Sequence, residues 1–540
     1  MTRGPRPQAN PRPPSHDRAE SNLRRIATGG GTVFAGGWVS YALSLGFNIV
    51  VARRLNADRF GAFTIGMSLA VLLAHVAPLG LNQAVVRYVA IYRGQHDEAR
   101  IRGTIGLALR VTAAAGAVLG LAMLLAAPLL AERVFHDPSL TLTIRVLACS
   151  VPLTGLGELL LATMRAYTRV VLPVLIRSFA APGLRVLAAV AALLAHANLV
   201  GVAAAYTLVE GAALLAAAAA ARQVLPGRAA GTAAPPTAEV VRFSWPMALN
   251  RVLMGSTNNA EVFMLGALAG SGKVALFAAA RRFTIVANAI FIAFGTIFSP
   301  MVSDLDAAEQ HDHLARLYKA VSRWIFTIGV PVFLVQVLFG GALLSTFGRG
   351  FGQGRLALTL LAVGQLANYA SGAAGNVLTM TGRSRANLVV TVVHLVLTVL
   401  LNLLLIPRLG LLGAALANAV AISSVNAALT GWVYRVVGMH PYSRGWLKPL
   451  AAGLVAAAAV AAGRGLLPAG NAGELAGVLL LGVAYLGTLA LLAVDADDRV
   501  VLRQLARRAR RPAAPGEAAA DARPPEAVVG SATVGGGEPR

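Results

Sequence analysis

The segment Trp38–Arg93, WVSYALSLGFNIVVARRLNADRFGAFTIGMSLAVLLAHVAPLGLNQAVVRYVAIYR, decides the fold of this chain. Its two apolar stretches, Val39–Val51 and Phe63–Leu81, are separated by the short charged turn Ala52–Ala62. Apolar helices of about 20 residues cross the hydrocarbon core of a bilayer, so the segment predicts a transmembrane hairpin. A weaker copy of the hairpin follows about 214 residues later. The copy predicts a duplicated bundle of membrane helices, with its function between the two halves.

The composition is that of an integral membrane protein. Of the 540 residues, 56% are hydrophobic and only 13% are charged, with a mean hydropathy of +0.67; soluble domains carry about 25% charged residues. The net charge of +24 comes from arginines that mostly flank apolar runs, which indicates membrane topology and no nucleic-acid partner. The single cysteine, Cys149, excludes an intrachain disulfide and lies in an apolar run, which predicts a buried thiol.

Apolar runs of spanning length predict an all-α integral membrane protein with about 14 transmembrane helices. They form two pseudo-symmetric six-helix lobes and a C-terminal helix pair. The predicted spans are 32–52, 60–82, 104–127, 140–163, 172–194, 199–221, 243–268, 275–298, 323–345, 356–380, 387–406, 411–434, 447–468 and 474–493. The predicted domains are a disordered basic tail (1–28), an N-terminal lobe (29–222), a linker (223–242), a C-terminal lobe (243–440), the final helix pair (441–495) and a basic, then low-complexity tail (496–540).

An internal repeat supports the two lobes. Arg59–Phe63 aligns with Lys273–Phe277, and Leu199–Ala203 aligns with Leu411–Ala415, at nearly equal offsets. Because each repeat holds six helices, both lobes have the same orientation in the membrane, as in parallel-repeat transporters. Chance similarity between helices rich in alanine and leucine is the alternative explanation.

The charge distribution predicts the orientation. An even number of spans places both termini on one side, and the excess of Lys and Arg in the loops of that side makes it cytoplasmic. Arg53 and Arg54 lie in a turn on the outer side and violate this rule locally. They anchor the hairpin at lipid headgroups in the simpler interpretation, or serve an outer gate or outer-leaflet phosphates in the other.

Several predicted spans carry polar residues at helical spacing. Side chains of this kind inside lipid face another helix or a water-filled cavity. A hydrogen bond between helices is the simpler interpretation of any single stripe, whereas the stripes together favour a cavity. The amide candidates for lining it are Asn250, Asn258, Gln365, Asn368 and Asn376.

Charges within the spans indicate the chemistry of such a cavity. Arg251, Arg281 and Arg282 lie about two turns inside predicted helices, and Glu210 and Glu261 are acids within spans. A cationic cavity suits an anionic substrate, because a guanidinium group binds two phosphate oxygens at once. Snorkelling to the interface or structural Glu–Arg pairs between helices would explain the same residues.

Enzyme motifs are absent from the sequence. There is no Walker loop, no G-x-S-x-G motif and no zinc-ligand pair, and no insertion is large enough for a catalytic domain. No catalytic residue and no metal ligand is therefore predicted, and the acidic and histidine-containing loop 304–313 is interpreted as a solvated loop.

Three motifs resemble the polysaccharide-exporter (Wzx-type flippase) branch of the multidrug/oligosaccharidyl-lipid/polysaccharide (MOP) superfamily. They are the hairpin motif VARRL…DRFG at Val51–Gly61, GLNQAVVRY at Gly80–Tyr88 and GLLGAA at Gly410–Ala415. The resemblance covers about 30–495 and implies two six-helix lobes around a cationic cavity. It also implies a flippase that moves an undecaprenyl-diphosphate-linked oligosaccharide across the bacterial cytoplasmic (inner) membrane by alternating access, for surface polysaccharide synthesis.

Under this resemblance, Arg251, Arg281 and Arg282 are matched by position to the diphosphate site. Glu261, Glu210 and His394 are the candidates for coupling transport to an ion gradient or the membrane potential, with the ion unspecified and no cofactor expected. The expected partners are the lipid-linked substrate, membrane lipids and polysaccharide polymerase or assembly proteins. A lipid II flippase, a membrane-embedded sugar transferase or polymerase, and a non-transporting assembly scaffold remain alternatives.

Overall fold

The computed structural model describes residues 16–167, 169, 171–223, 237–466, 468 and 470–492. In these residues the regular elements are helices, which confirms the predicted fold class. The first half holds α1 (His16–Val76), α2 (Leu81–Gly94), α3 (Glu98–Leu129), α4 (Leu140–Ala148), α5 (Ser150–Ala166), α6 (Val171–Val174), α7 (Ala181–Leu194) and α8 (Leu199–Arg222).

The second half begins after the predicted linker, of which residues 224–236 lie outside the described residues. It holds α9 (Thr237–Ala269), α10 (Ser271–Thr284), α11 (Val286–Ala307), α12 (His311–Leu338), α13 (Gly340–Ser345), α14 (Arg355–Ser371), α15 (Ala374–Met380), α16 (Ser384–Leu409), α17 (Leu411–Val437), α18 (Leu447–Gly463) and α19 (Asn471–Leu491).

The number of spans stays a prediction. Ten helices of the described residues are long and apolar enough to cross a membrane, or eleven if the bent pair Phe351–Ser371 and Ala374–Met380 is one span. One of the ten, Gly36–Gly94, contains the predicted span 60–82 and most of the predicted span 32–52. The predicted spans 243–268 and 275–298 lie on α9 to α11 without passing that test as single long apolar helices.

The predicted hairpin turn lies at Asn56, where the long helix α1 is broken. Asn56 has φ 63° and ψ 171°, a conformation outside the helical region. Its side-chain oxygen accepts a hydrogen bond from the backbone N–H of Arg59 at 3.0 Å, which caps the helix that follows. The end of the bundle at which Leu55–Phe60 lies is called the hairpin end below.

Replacing Asn56 tests this turn. A valine there should destabilise the protein by about 1–3 kcal/mol, because a β-branched residue strongly disfavours this backbone region. Asn56→Gly should cost only a few tenths of a kcal/mol, since glycine adopts the conformation freely and only the cap is lost. Thermal unfolding of the purified protein in detergent measures both, and equal midpoints for the two variants would contradict a strained turn.

Two predictions need correction. Residues 16–28 belong to α1, although the tail 1–28 was predicted to be disordered; this part is rich in residues of high helix propensity. Cys149 is exposed, although it was predicted to be buried. Leu208 and Leu454 are exposed as well, so the outside of the bundle is apolar and an apolar run does not reveal which of its residues face the interior.

The two halves pack together mainly through α1. It lies along α10 and α9, while α3, α5 and α8 pack in the first half and α12, α14, α16 and α17 pack in the second. At the hairpin end, the Phe60 ring lies 6.2 Å from the Phe347 ring and 6.1 Å from the Phe351 ring. These rings are almost fully buried. The hairpin end is therefore closed by an aromatic cluster that both halves supply.

A second contact between the halves lies at the opposite end. The Tyr88 ring of α2 meets the Phe243 ring of α9 edge-on at 5.7 Å, and the Arg87 guanidinium lies 4.8 Å from the centre of the Phe243 ring. Aromatic and cation–π contacts contribute about 0.5–1.5 kcal/mol each. At this end the two contacts hold α2 of the first half against α9 of the second half.

Candidate functional site

A network of charged side chains lies inside the first half. The Arg177 Nε lies 2.7 Å from Glu158 Oε1, and its Nη1 lies 3.5 Å from Glu210 Oε2. Arg185 donates to Glu210 Oε1, and the Thr154 hydroxyl donates to Glu210 Oε2 at 2.9 Å. Both oxygens of the buried Glu210 are thus occupied. An unpaired buried charge would be costly. These ion pairs therefore support the interpretation that Glu210 forms structural Glu–Arg pairs between helices.

The helix geometry explains how one arginine reaches two acids. Arg177 lies in a π-helical turn, Leu175–Ala180, just before Pro182 in α7. Proline lacks a backbone N–H, so the preceding turn cannot keep the regular α-helical hydrogen bonds. The wider turn carries Arg177 towards α5 and α8, where Glu158 and Glu210 lie.

Arg251 lies near the middle of α9 and is half-buried. It is within electrostatic range of His75 on α1 and of Arg165 at the end of α5, so it faces the first half. Across the described ranges, neither Arg251 nor Arg165 has an ion-pair partner within 4 Å, although Glu158 is within electrostatic range of Arg165. An arginine without an acid inside an apolar bundle snorkels to the interface, pairs with backbone oxygens, or faces water or an anionic ligand.

Arg282 joins the two halves near the middle of the bundle. Its Nη2 donates to Asn48 Oδ1 on α1 at 3.4 Å, and the Tyr41 hydroxyl of α1 donates to the backbone oxygen of Arg282. Among the residues with described side chains, Arg282 likewise has no acidic partner. Asn48, a polar residue within the predicted span 32–52, is thus a direct partner of a predicted substrate-site arginine.

Arg281 faces the second half. Its Nη1 lies 3.6 Å from Glu261 Oε2 on α9, and the Asn418 amide on α17 donates to Glu261 Oε1 at 2.8 Å. His394 on α16 is within electrostatic range of the same carboxylate. The structure therefore brings together two of the predicted coupling residues, Glu261 and His394, and separates them from Glu210.

The predicted amide residues do not all lie in one region of the structure. Gln365 and Asn368 are half-buried on α14, and the Asn368 amide donates to the Gln365 oxygen at 3.3 Å. Asn376 is half-buried on α15 near Gly295 of α11. Asn250 is exposed, and the side chain of Asn258 lies outside the described residues. The amides of α14 and α15 therefore share one region of the second half, whereas Asn250 faces the surface.

Arg53 of the predicted outer turn contacts the second half. Its Nε donates to the backbone oxygen of Thr346 at 2.7 Å, whereas Arg54 is exposed. This bond favours the gate interpretation for Arg53, since it holds the hairpin on the loop that contains Phe347. For Arg54 the headgroup interpretation remains the simpler one.

An open cleft of about 410 Å³ lies at the hairpin end, where Asp58 and Ser271 are among its lining residues. Its charged lining consists of Asp58, His136 and Asp137. A lining that holds carboxylates and no arginine does not suit an anion. The cleft is thus distinct in chemistry from the arginines of the interior.

Sequence reasoning missed three parts of this arrangement. Arg177 and Arg185 lie in the predicted span 172–194 but were not assigned to a site, and Asn418 was not singled out. A lone asparagine in the alanine-rich stretch Ala414–Ala421 was the available signal for Asn418, because an amide there needs a partner within the bundle.

Two family models match the chain. The model of the polysaccharide biosynthesis proteins matches residues 26–306, which is more than half of the chain. The MatE model matches residues 246–404. One curated relative is the capsular polysaccharide biosynthesis protein CapF of Staphylococcus aureus, 23% identical over 184 residues. That match covers 34% of this chain and 46% of the relative, so less than half of the relative's length is matched.

Solved transporter structures share the fold. The inward closed conformation of the lipid II flippase MurJ has a TM-score of 0.70 and 12% identity, covering 85% of this chain and 98% of that one. An inward-facing multidrug resistance MATE family transporter of the MOP superfamily has a TM-score of 0.62 and 16% identity, covering 74% of this chain and 94% of that one. At such identities the likeness shows the architecture alone.

Proposed function

The chain belongs to the family of polysaccharide biosynthesis proteins, in the polysaccharide-exporter branch of the MOP superfamily, and we propose that it moves a lipid-linked oligosaccharide across the cytoplasmic membrane. It is a multi-pass membrane transporter and not an enzyme. The proposed cargo is an oligosaccharide on undecaprenyl diphosphate, delivered to the outer leaflet for surface polysaccharide synthesis.

The observation that carries this proposal is the excess of arginines where the halves meet. The acids Glu158, Glu210 and Glu261 all have arginine partners, while Arg251 and Arg282 have no acidic partner in the described residues. Guanidinium groups bind phosphate oxygens in pairs, and a low-dielectric interior strengthens that attraction. A diphosphate would supply the negative charge that the interior lacks.

The sugar part of the cargo needs a different chemistry. Gln365, Asn368 and Asn376 offer amide donors and acceptors that suit sugar hydroxyl groups. Their half-buried side chains lie on α14 and α15, in the same half as Arg281. The proposed cargo therefore spans the two halves, with its diphosphate at the arginines and its sugars along the amides.

The closed hairpin end supports alternating access. With both termini in the cytoplasm, as proposed from the charge distribution, the aromatic cluster of Phe60, Phe347 and Phe351 closes the outer side. Cargo would then enter from the cytoplasmic side and leave after this cluster opens. The proposed partners are membrane lipids and the polysaccharide polymerase or assembly proteins. The proposed energy source is an ion gradient or the membrane potential.

Deletion of the gene tests the function. We expect a completed lipid-linked oligosaccharide to accumulate in the cytoplasmic leaflet, measured by mass spectrometry of extracted lipids and by protection from an external glycosidase. Truncated chains would indicate a transferase instead, and accumulation of the peptidoglycan precursor would indicate a lipid II flippase. An unchanged lipid profile would exclude transport of either cargo, leaving the scaffold alternative.

A further inference from the structure

The two halves hold their buried acids differently. In the first half, Glu210 binds Arg177, Arg185 and Thr154, so both carboxylate oxygens have hydrogen-bond partners. In the second half, the Glu261 side chain is only 3% exposed, yet its Oε2 has no hydrogen-bond partner. The guanidinium of Arg281 lies 3.6 Å from this oxygen, which is longer than a charged hydrogen bond. The Glu261 carboxylate therefore has one oxygen that no hydrogen bond fixes.

Arg281 is accessible while its acid is not. Its side chain is 28% exposed, against 3% for Glu261. The helix that carries it, α10, is surrounded by α1, α9, α14 and α17, so the exposed part of Arg281 faces a space within the bundle. An anion in that space could reach the guanidinium on the side opposite to Glu261.

The other charged and titratable groups near this pair come from three helices. Arg282 follows on α10, and Tyr41 of α1 lies beside it. His394 of α16 faces Glu261, and α17 contributes the neutral amide of Asn418. In the described residues, none of these other groups forms an ion pair with Glu261, whereas Arg281 does.

We propose that Glu261 is an internal competitor for the anionic cargo, so that binding of a diphosphate at Arg281 is coupled to uptake of one proton by Glu261. The proposal rests on the proposed function and adds a regulated step to it. In the empty protein, the carboxylate neutralises Arg281. In the loaded protein, a phosphate oxygen takes that place.

The proton balance follows from burial. Once a phosphate holds Arg281, the Glu261 carboxylate keeps only the Asn418 amide, and a buried carboxylate without a counter-ion is strongly destabilised in its charged form. A proton from the water of the internal space binds to Oε2, forming the neutral acid. When the cargo leaves, the proton returns to water and the carboxylate pairs again with Arg281. No other bond forms or breaks.

This exchange assigns a role to the loose pairing. A tight bidentate pair would resist displacement. The Arg281–Glu261 pair is 3.6 Å long, and its oxygen Oε2 accepts no hydrogen bond, so an incoming phosphate can compete for the guanidinium. The returning carboxylate in turn helps to expel the cargo, since both anions need the same guanidinium. Glu210 lacks this property because both of its oxygens are already bound.

Calorimetric titration of the purified full-length protein with farnesyl diphosphate tests the proposal. Binding is measured in buffers of different ionisation enthalpy, which reveals the number of protons taken up. We expect about one proton for the wild type and an affinity that falls about tenfold per pH unit as the pH rises above neutrality. Glu261→Gln should bind without this proton and with little pH dependence. Glu239→Gln, an exposed residue on the same helix α9, is the matched control and should behave as the wild type does.

Each outcome separates the two proposals. Wild-type binding without proton uptake would overturn the competitor role and leave the transport function standing. Proton uptake that persists in Glu261→Gln and disappears in His394→Gln would also overturn it, by assigning the proton to the histidine. Failure of the wild type to bind any diphosphate would count against the proposed function itself. If Glu261→Gln does not fold, Glu261→Gln combined with Arg281→Gln removes the pair together and should bind weakly with no proton linkage.

Discussion

Replacing Arg251 by alanine should lower transport of the lipid-linked oligosaccharide by roughly 10- to 100-fold while the protein still inserts into the membrane. Hydrogen bonds from a charged group contribute about 1.5–3 kcal/mol, and 1.4 kcal/mol corresponds to a factor of ten in binding. Arg251 has no acidic partner in the described residues, so its loss leaves no buried acid uncompensated. The effect should therefore appear in transport and not in stability.

The measurement is flipping of a fluorescent lipid-linked oligosaccharide in proteoliposomes, with expression and thermal unfolding recorded alongside. Arg110→Ala is the matched control, because Arg110 is exposed on α3 and its Nε donates to the backbone oxygen of Gly106 in its own helix. Arg251→Lys should retain part of the activity, since it keeps the charge and loses the two-pronged geometry. Full transport by Arg251→Ala would remove the diphosphate site from this position.

Gly61→Ala should prevent the hairpin end from closing and so abolish transport. A Cβ atom at Gly61 would lie 1.7 Å from the backbone oxygen of Ser271 and 2.5 Å from its carbonyl carbon. Both are backbone atoms, so a side-chain rotation cannot relieve the clash. The hairpin must then move away from α10, which also separates the rings of Phe60 and Phe347.

Thiol labelling measures that opening. In a Cys149→Ala background, Phe347→Cys should resist a membrane-impermeant maleimide added from outside, since Phe347 is fully buried. Addition of Gly61→Ala should expose the thiol to the reagent. Gly46→Ala is the matched control on the same helix, because nothing lies within 4 Å of a Cβ there. Continued protection of the thiol together with normal transport would show that Gly61 does not set the closure.

The sequence was sufficient for the hairpin and its turn. The charged segment between two apolar runs predicts a break in α1, and the break lies at Asn56 within that segment. The motifs at Val51–Gly61 and Gly80–Tyr88 also indicated the family that the model match at residues 26–306 shows. Local features of this kind are predictable because charge in the middle of an apolar run can only be a turn or a buried site.

The partners of the charges were not predictable in the same way. Glu261 lies ten residues after Arg251 on one helix, about 15 Å along its axis, and the pattern excluded that pair. Its actual partners, Arg281 and Asn418, lie on two other helices. Which faces of three helices meet depends on packing between segments far apart in the chain. The sequence thus placed the arginines on helices but did not show which neighbouring helix each of them faces.

The exposure of Cys149 has the same cause. A soluble helix shows its buried face by the alternation of apolar and polar residues, whereas both faces of a membrane helix are apolar. Cys149 stands between α4 and α5, after the apolar residues Val146–Ala148. Periodicity therefore carries little information here, except where a polar residue marks the inner face.

The aromatic cluster at the hairpin end has an electrical consequence. Bacterial cells store energy as a voltage across their cytoplasmic membrane, and a continuous column of water through any protein would let protons leak and dissipate it. The rings of Phe60, Phe347 and Phe351 are at most 1% exposed, and aromatic carbon surfaces offer water no strong hydrogen-bond partners. Under the proposed function, the contact that closes the path of a large cargo would thus also insulate the membrane against protons.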